Sequence, residues 1–219
     1  MGRRSEHFVP VLICISYNIA PPSGGAIIFG MGEIMKRKRW LIGLMTAVIL
    51  GVGCQQQSVD SSALLWAAAE GNLAQVEQLI KKGANLNVKD NTQKTPLILA
   101  SQNGHLEVVK ALIAAGVNVN DAGNKMGLTP LMASSAKGYV KIVKVLLEAG
   151  ANVDAKGKAD VTALMLASQT GQLDVVRALL ASGANVNLVT TDGVTALMAA
   201  NRTGHKQVAQ LLRQSGAKK

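Results

Sequence analysis

Glycine recurs at Gly71, Gly104, Gly138, Gly171 and Gly204, at spacings of 33, 34, 33 and 33 residues. A second set, Gly83, Gly116, Gly150, Gly183 and Gly216, keeps identical spacings. Thr95, Thr129, Thr162 and Thr195 open the same intervals, and Ser62 stands at the matching place in the first. Three markers in step over five intervals specify a stacked array, in which each unit covers the apolar side of its neighbour.

One interval, Thr95 to Gly116, shows what a unit folds into. Pro96 suits the first turn of a helix, where its missing N–H costs nothing. Leu97 and Ala100 fall on one helical face, and Gly104 supplies the freedom to end the helix and turn. Val108, Val109, Leu112 and Ile113 form the apolar stripe of a second, antiparallel helix. Gly116 ends it, and Asn118-Val119-Asn120 leads into a projecting hairpin. Neither helix is apolar all round, so each needs the next unit.

Thr95-Pro96-Leu97, Asn103-Gly104-His105-Leu106-Glu107-Val108-Val109 and Gly150-Ala151-Asn152-Val153-Asp154 resemble the ankyrin pattern, whose period is 33. The resemblance covers about Ser61–Ala217. It implies an all-α repeat solenoid of stacked helix-turn-helix units with projecting β-hairpin loops. Five units are expected, at about 61–90, 91–123, 124–157, 158–190 and 191–219. One extra residue between Gly116 and Thr129 reads as an insertion in a finger loop.

The first third of the chain reads as an address. From Met35, Lys36-Arg37-Lys38-Arg39 precedes an apolar stretch from Trp40 to Gly53, then Cys54 and Gln55-Gln56-Gln57. Charged, apolar and small-residue segments in that order make a secretory signal over 35–53. About fourteen apolar residues fall short of the roughly 20 that span a bilayer. Val52-Gly53-Cys54 resembles a bacterial lipoprotein signal, although Gly51 stands where that family has a large aliphatic residue. The resemblance implies that Cys54 is lipidated and becomes the first mature residue, with 55–60 as a polar leash. Its thiolate is a strong nucleophile, suited to accept a diacylglycerol group. Gln55, by the same resemblance, leans towards the outer membrane of a Gram-negative cell. Cleavage without lipid and an uncleaved anchor are the plain readings of the same residues. Residues 1–34 read as an over-extended gene start ahead of Met35, or else as a flexible extension with Cys14 a free thiol.

Of the net charge of +10, the residues up to Gly53 carry six basic and two acidic groups. The rest is spread along the second half without a dense stripe, and aromatics are only 3% of the chain, so nucleic-acid binding has little to stand on. No Cys/His cluster has metal-ligand spacing, no nucleophile–base set recurs and no phosphate loop follows a strand. Neither metal nor cofactor is expected, and the chain is not read as an enzyme. Ile98, Met132, Met165 and Met198 stand where the ankyrin pattern often has His, and they read as packing residues. His105 and His205 read as structural.

By the family resemblance, contacts come from finger tips and from the concave face of the first helices. The matching finger residues are Asn91, Thr92 and Lys94; Lys125, Met126 and Leu128; Lys158 and Val161; Thr191 and Val194. On the helices they are Gln102, Asn103, Ala136, Lys137, Gln169, Thr170, Arg202 and Thr203. Leu128, Val161 and Val194 are expected to form an exposed apolar row edged by Lys125, Lys137, Lys158 and Arg202. The function expected is a monomeric, non-catalytic protein-binding module tethered to the cell envelope by lipid. Its partner would be a periplasmic or envelope protein with an acidic, partly apolar surface. A scaffold or protective partner of a periplasmic enzyme is the alternative, as is a secreted or cytoplasmic protein if the leader is unused.

Overall fold

The computed structural model describes residues 61–123 and 125–218. The readings of residues 1–34, the 35–53 leader, Cys54 and the 55–60 leash lie outside them. The described residues form ten helices in five antiparallel pairs. They are α1 (61–70) and α2 (Leu73–Lys81), α3 (Pro96–Asn103) and α4 (Leu106–Ala114), α5 (Pro130–Lys137) and α6 (Val140–Glu148), α7 (Ala163–Gln169) and α8 (Leu173–Ala181), and α9 (Ala196–Arg202) and α10 (Lys206–Gln214).

The repeated threonines start the first helices for a local reason. Thr95, Thr129, Thr162 and Thr195 are N-caps, each with its hydroxyl oxygen accepting the N–H of Ile98, Met132, Met165 or Met198 at 3.1–3.4 Å. All four are buried, so no water can replace that acceptor, and each cap contributes about 1 kcal/mol. Gly104 and Gly138 end α3 and α5 in the left-handed conformation, at φ 88° and 81°.

The core is one continuous layer. The second helices, the outer ones with respect to the fingers, bury the same three positions in each inner repeat: Val108, Val109 and Leu112 in α4, Ile142, Val143 and Leu146 in α6, Val175, Val176 and Leu179 in α8. These stripes close on the first helices, which also pack against one another along the stack. Truncating a fully buried side chain such as Leu146 to Ala would cost about 2–5 kcal/mol.

Both ends of the stack are polar where the inner repeats are apolar. Gln75 stands at the position of Val108, Ile142 and Val175. At the far end Lys206 replaces Leu106 and Leu173, and Arg213 replaces Ile113 and Leu147. Asn201 replaces the buried Ser101, Ser135 and Ser168, and its carbonyl oxygen accepts a 3.2 Å hydrogen bond from Arg213. Terminal repeats need such a face to remain in water.

The finger loops differ from the expected hairpins. No strand occurs among the described residues; only isolated bridges pair Gly123 with Leu128 and Val189 with Thr195. Each finger is closed by a backbone bond from Asp90, Gly123, Gly157 or Thr190 N–H to the carbonyl of Lys94, Leu128, Val161 or Val194, and in the second finger Leu128 N–H returns the bond to the Gly123 carbonyl. The residue before each closing carbonyl, Gln93, Gly127, Asp160 or Gly193, takes φ between 60° and 73°. Gly123–Leu128 encloses one residue more than the other three, which locates the insertion within the second finger.

Candidate functional site

The fingers form a tied row. The N–H of Lys158 donates to the Met126 carbonyl at 2.7 Å, and that of Thr191 to the Ala159 carbonyl at 3.0 Å. Below them, Asn120 clasps the next repeat twice: its amide donates to the Gly150 carbonyl at 3.2 Å, and its oxygen accepts the Asn152 N–H at 2.8 Å. Asn187 makes the same pair of bonds to Gly216 and Lys218. Backbone held in this way presents side chains at fixed spacing with little ordering cost on binding.

Several of the sequence-predicted contact residues serve the scaffold. Asn103 donates its amide to the Ala69 carbonyl at 2.8 Å, beside a 2.9 Å bond from His105 Nε2 to the same oxygen. Thr92 donates both N–H and hydroxyl to the Asp90 carboxylate, each at 2.8 Å. Burial pushes that carboxyl up, but the Lys94 N–H, the two Thr92 donors and the Lys94 ammonium outweigh it and hold the carboxyl below its ordinary value. The hydroxyls of Thr170 and Thr203 turn back to Leu166 and Ala199 in their own helices.

Other predicted residues do come together. Lys94 reaches from the first finger to Gln102 of α3, with Nζ 2.9 Å from the amide oxygen. Val161, Gln169, Val194 and Arg202 share one groove of about 340 Å³ with Met165 and Ala199. Asn91, Lys125 and Lys137 are exposed and stand apart from that groove, and Ala136 is half-buried.

The expected apolar row is corrected in one respect. Leu128, Val161 and Val194 hold equivalent places but are half-buried, and Leu128 packs against the core instead of facing outward. Each of the three directly precedes the threonine that caps its first helix, so the last residue of the finger is drawn down towards that helix. The methionine column is packed as expected of it in its inner members: Ile98, Met132 and Met165 are buried, and the next finger lies against Ile98 and Met132. Met198, at the end of the described stack, is 42% exposed.

Trp66 is not among the contact residues that the sequence pattern supplies. It is 58% exposed and stands in α1 at the place of Leu99, Leu166 and Ala199, on the helix side that lines the groove. Counting four residues on from the opening Ser62, as from each threonine, would have found it.

Among the described residues no three His, Cys, Asp or Glu side chains are grouped to hold a metal, and no helix is long and apolar enough to cross a membrane. No curated protein matches the chain. A family model described as ankyrin repeats (3 copies) matches residues 64–157 and again 155–219. The matched residues are those that repeat a threonine-capped first helix, a turning glycine and a second helix, and the chain belongs to the ankyrin repeats.

Proposed function

We propose that this chain is a non-catalytic protein-binding module, exported and held at the cell envelope by lipid on Cys54, and that it meets its partner through the fingers and first helices. Ankyrin repeats serve generally as protein-interaction modules, and that much follows from the family. The observation that carries the choice of face is the tied row of fingers, in which Lys158 and Thr191 donate backbone bonds to the preceding finger. Stability comes from the helix pairs beneath, which leaves Asn91, Lys125 and Lys158 exposed at equivalent finger positions and Lys137 and Arg202 exposed on the first helices. A protein with an acidic, partly apolar surface complements them.

Lys125→Glu combined with Lys137→Glu changes two exposed residues. It is expected to abolish capture of the partner from envelope fractions while the thermal unfolding midpoint stays where it was. Undiminished capture by the double variant contradicts this choice of face. Export is tested separately by feeding cells a fatty-acid analogue: label on the chain and none on Cys54→Ser is expected, and equal label in both would refute the tether.

A further inference from the structure

The groove between the fourth and fifth repeats differs from the rest of the finger-side face. Its floor is Met165, 5% exposed, and its walls are the half-buried Val161 and Val194. Ala199 stands where α3 and α7 carry Leu99 and Leu166, and the missing atoms leave the space open; Ala133, the other small residue of that column, is buried. The bond from Thr191 N–H to the Ala159 carbonyl holds the two finger walls at a fixed separation. A cleft of about 340 Å³ has room for a few side-chain and backbone atoms and none for a folded element.

Charge decides what enters. Arg202, exposed on the helix side of the groove, belongs to no ion pair among the described residues. Its hydroxyl-bearing neighbour Thr203 is turned back to its own helix and offers it nothing. Asp192 lies on the finger rim and is likewise outside any ion pair, so the two rims differ in sign. A planar guanidinium with free donors matches a carboxylate in two parallel hydrogen bonds.

We infer that this groove takes an extended acidic peptide segment of the partner, with an aliphatic side chain over Met165 between Val161 and Val194 and an adjacent carboxylate on Arg202. The inference rests on the reading of the chain as a protein-binding module and names the chemistry recognised at one place on its face. The carboxylate enters on the helix side, because Asp192 repels it from the finger rim. A backbone N–H of the segment suits Asp192.

The probe is acetyl-Glu-Glu-Val-Leu-Glu-Glu-amide, titrated into the full chain with methyl groups of valine and methionine isotopically labelled. The expected result is a shift of the Val161, Val194 and Met165 methyl resonances, with affinity falling at least tenfold in Arg202→Gln. The peptide in which lysine replaces every glutamate is expected to bind at least tenfold more weakly. Lys144→Gln, on an outer helix, leaves the titration unchanged, and unaltered resonances far from the groove show that each variant is folded. Unmoved groove methyls at millimolar peptide, or equal affinity in Arg202→Gln, overturn the inference. The wider reading is judged by the Lys125 and Lys137 double variant, whose outcome does not depend on this groove.

Discussion

The imidazole of His105 lies over Gly71 of the preceding repeat, so close that a Cβ on Gly71 would sit 2.6 Å from its Cε1. The relation recurs along the stack: Tyr139 covers Gly104, Gln172 covers Gly138 and His205 covers Gly171. Gly71, Gly104, Gly138 and Gly171 therefore answer two demands, a left-handed backbone and a neighbour's side chain pressed against the missing methyl. The second set answers only the first, since Gly83 and Gly116 take φ of 76° and 84° with nothing within 4 Å of the absent Cβ.

That difference predicts unequal costs for the same substitution. Gly116→Ala meets only the backbone penalty, about 1–2 kcal/mol. Gly104→Ala adds about 1–3 kcal/mol of overpacking against Tyr139. Urea unfolding of both variants checks the order, and Tyr139→Ala should restore part of the loss at Gly104 and none at Gly116.

The clasp between repeats predicts a stabilising change. Asn120 and Asn187 each donate to a glycine carbonyl and accept a backbone N–H across the interface. Asp154 holds the same place and accepts the Asn185 N–H at 3.0 Å, but its carboxylate has no hydrogen to give to the Gly183 carbonyl. Asp154→Asn supplies that donor and should raise stability by about 0.5–1.5 kcal/mol, read as a higher urea midpoint at unchanged slope.

Three serines predict a second gain. Ser101, Ser135 and Ser168 are fully buried at successive repeat positions, and their hydroxyls have no hydrogen-bond partner. A buried hydroxyl without a partner costs about 1–3 kcal/mol. Each serine-to-alanine change should stabilise the array by about 1 kcal/mol or more, and the three together should add, because the sites are a repeat apart. Calorimetry of the triple variant measures it.

How much of this was legible in sequence follows from distance along the chain. The helix pairs could be read because their starts and stops are local: a threonine caps the N–H three residues on, and a glycine turns the backbone at its own position. His105 over Gly71 and Asn120 on Gly150 could not be read in that way. They join residues about one repeat apart, and the offset is set by how units stack. The half-burial of Leu128 escaped for a similar reason, since the fold of a short finger decides which way its last residue faces. The groove was half legible: Val161, Gln169, Val194 and Arg202 were named, whereas the gap left by Ala199 and the exposure of Trp66 were not.

Acid should loosen the first finger in a defined direction. Asp90's carboxyl is held below its ordinary value of 3.8, so the stability it supplies is complete above that value. It is lost as pH falls through the lower folded value. Asp90→Asn should therefore differ from the native chain more at neutral pH than at about pH 3. Amide exchange at Lys94, whose N–H donates to that carboxylate at 2.8 Å, reports the finger directly.

The claim that the fingers and first helices are the working face is tested most directly by placing a photo-reactive residue at single exposed positions in cells. Arg202 and Lys137 sample that face, and Lys144 and Arg177 sample the outer helices. The account predicts a discrete adduct with one protein from Arg202 and Lys137 and none from Lys144 or Arg177. Adducts from the outer helices alone would contradict it.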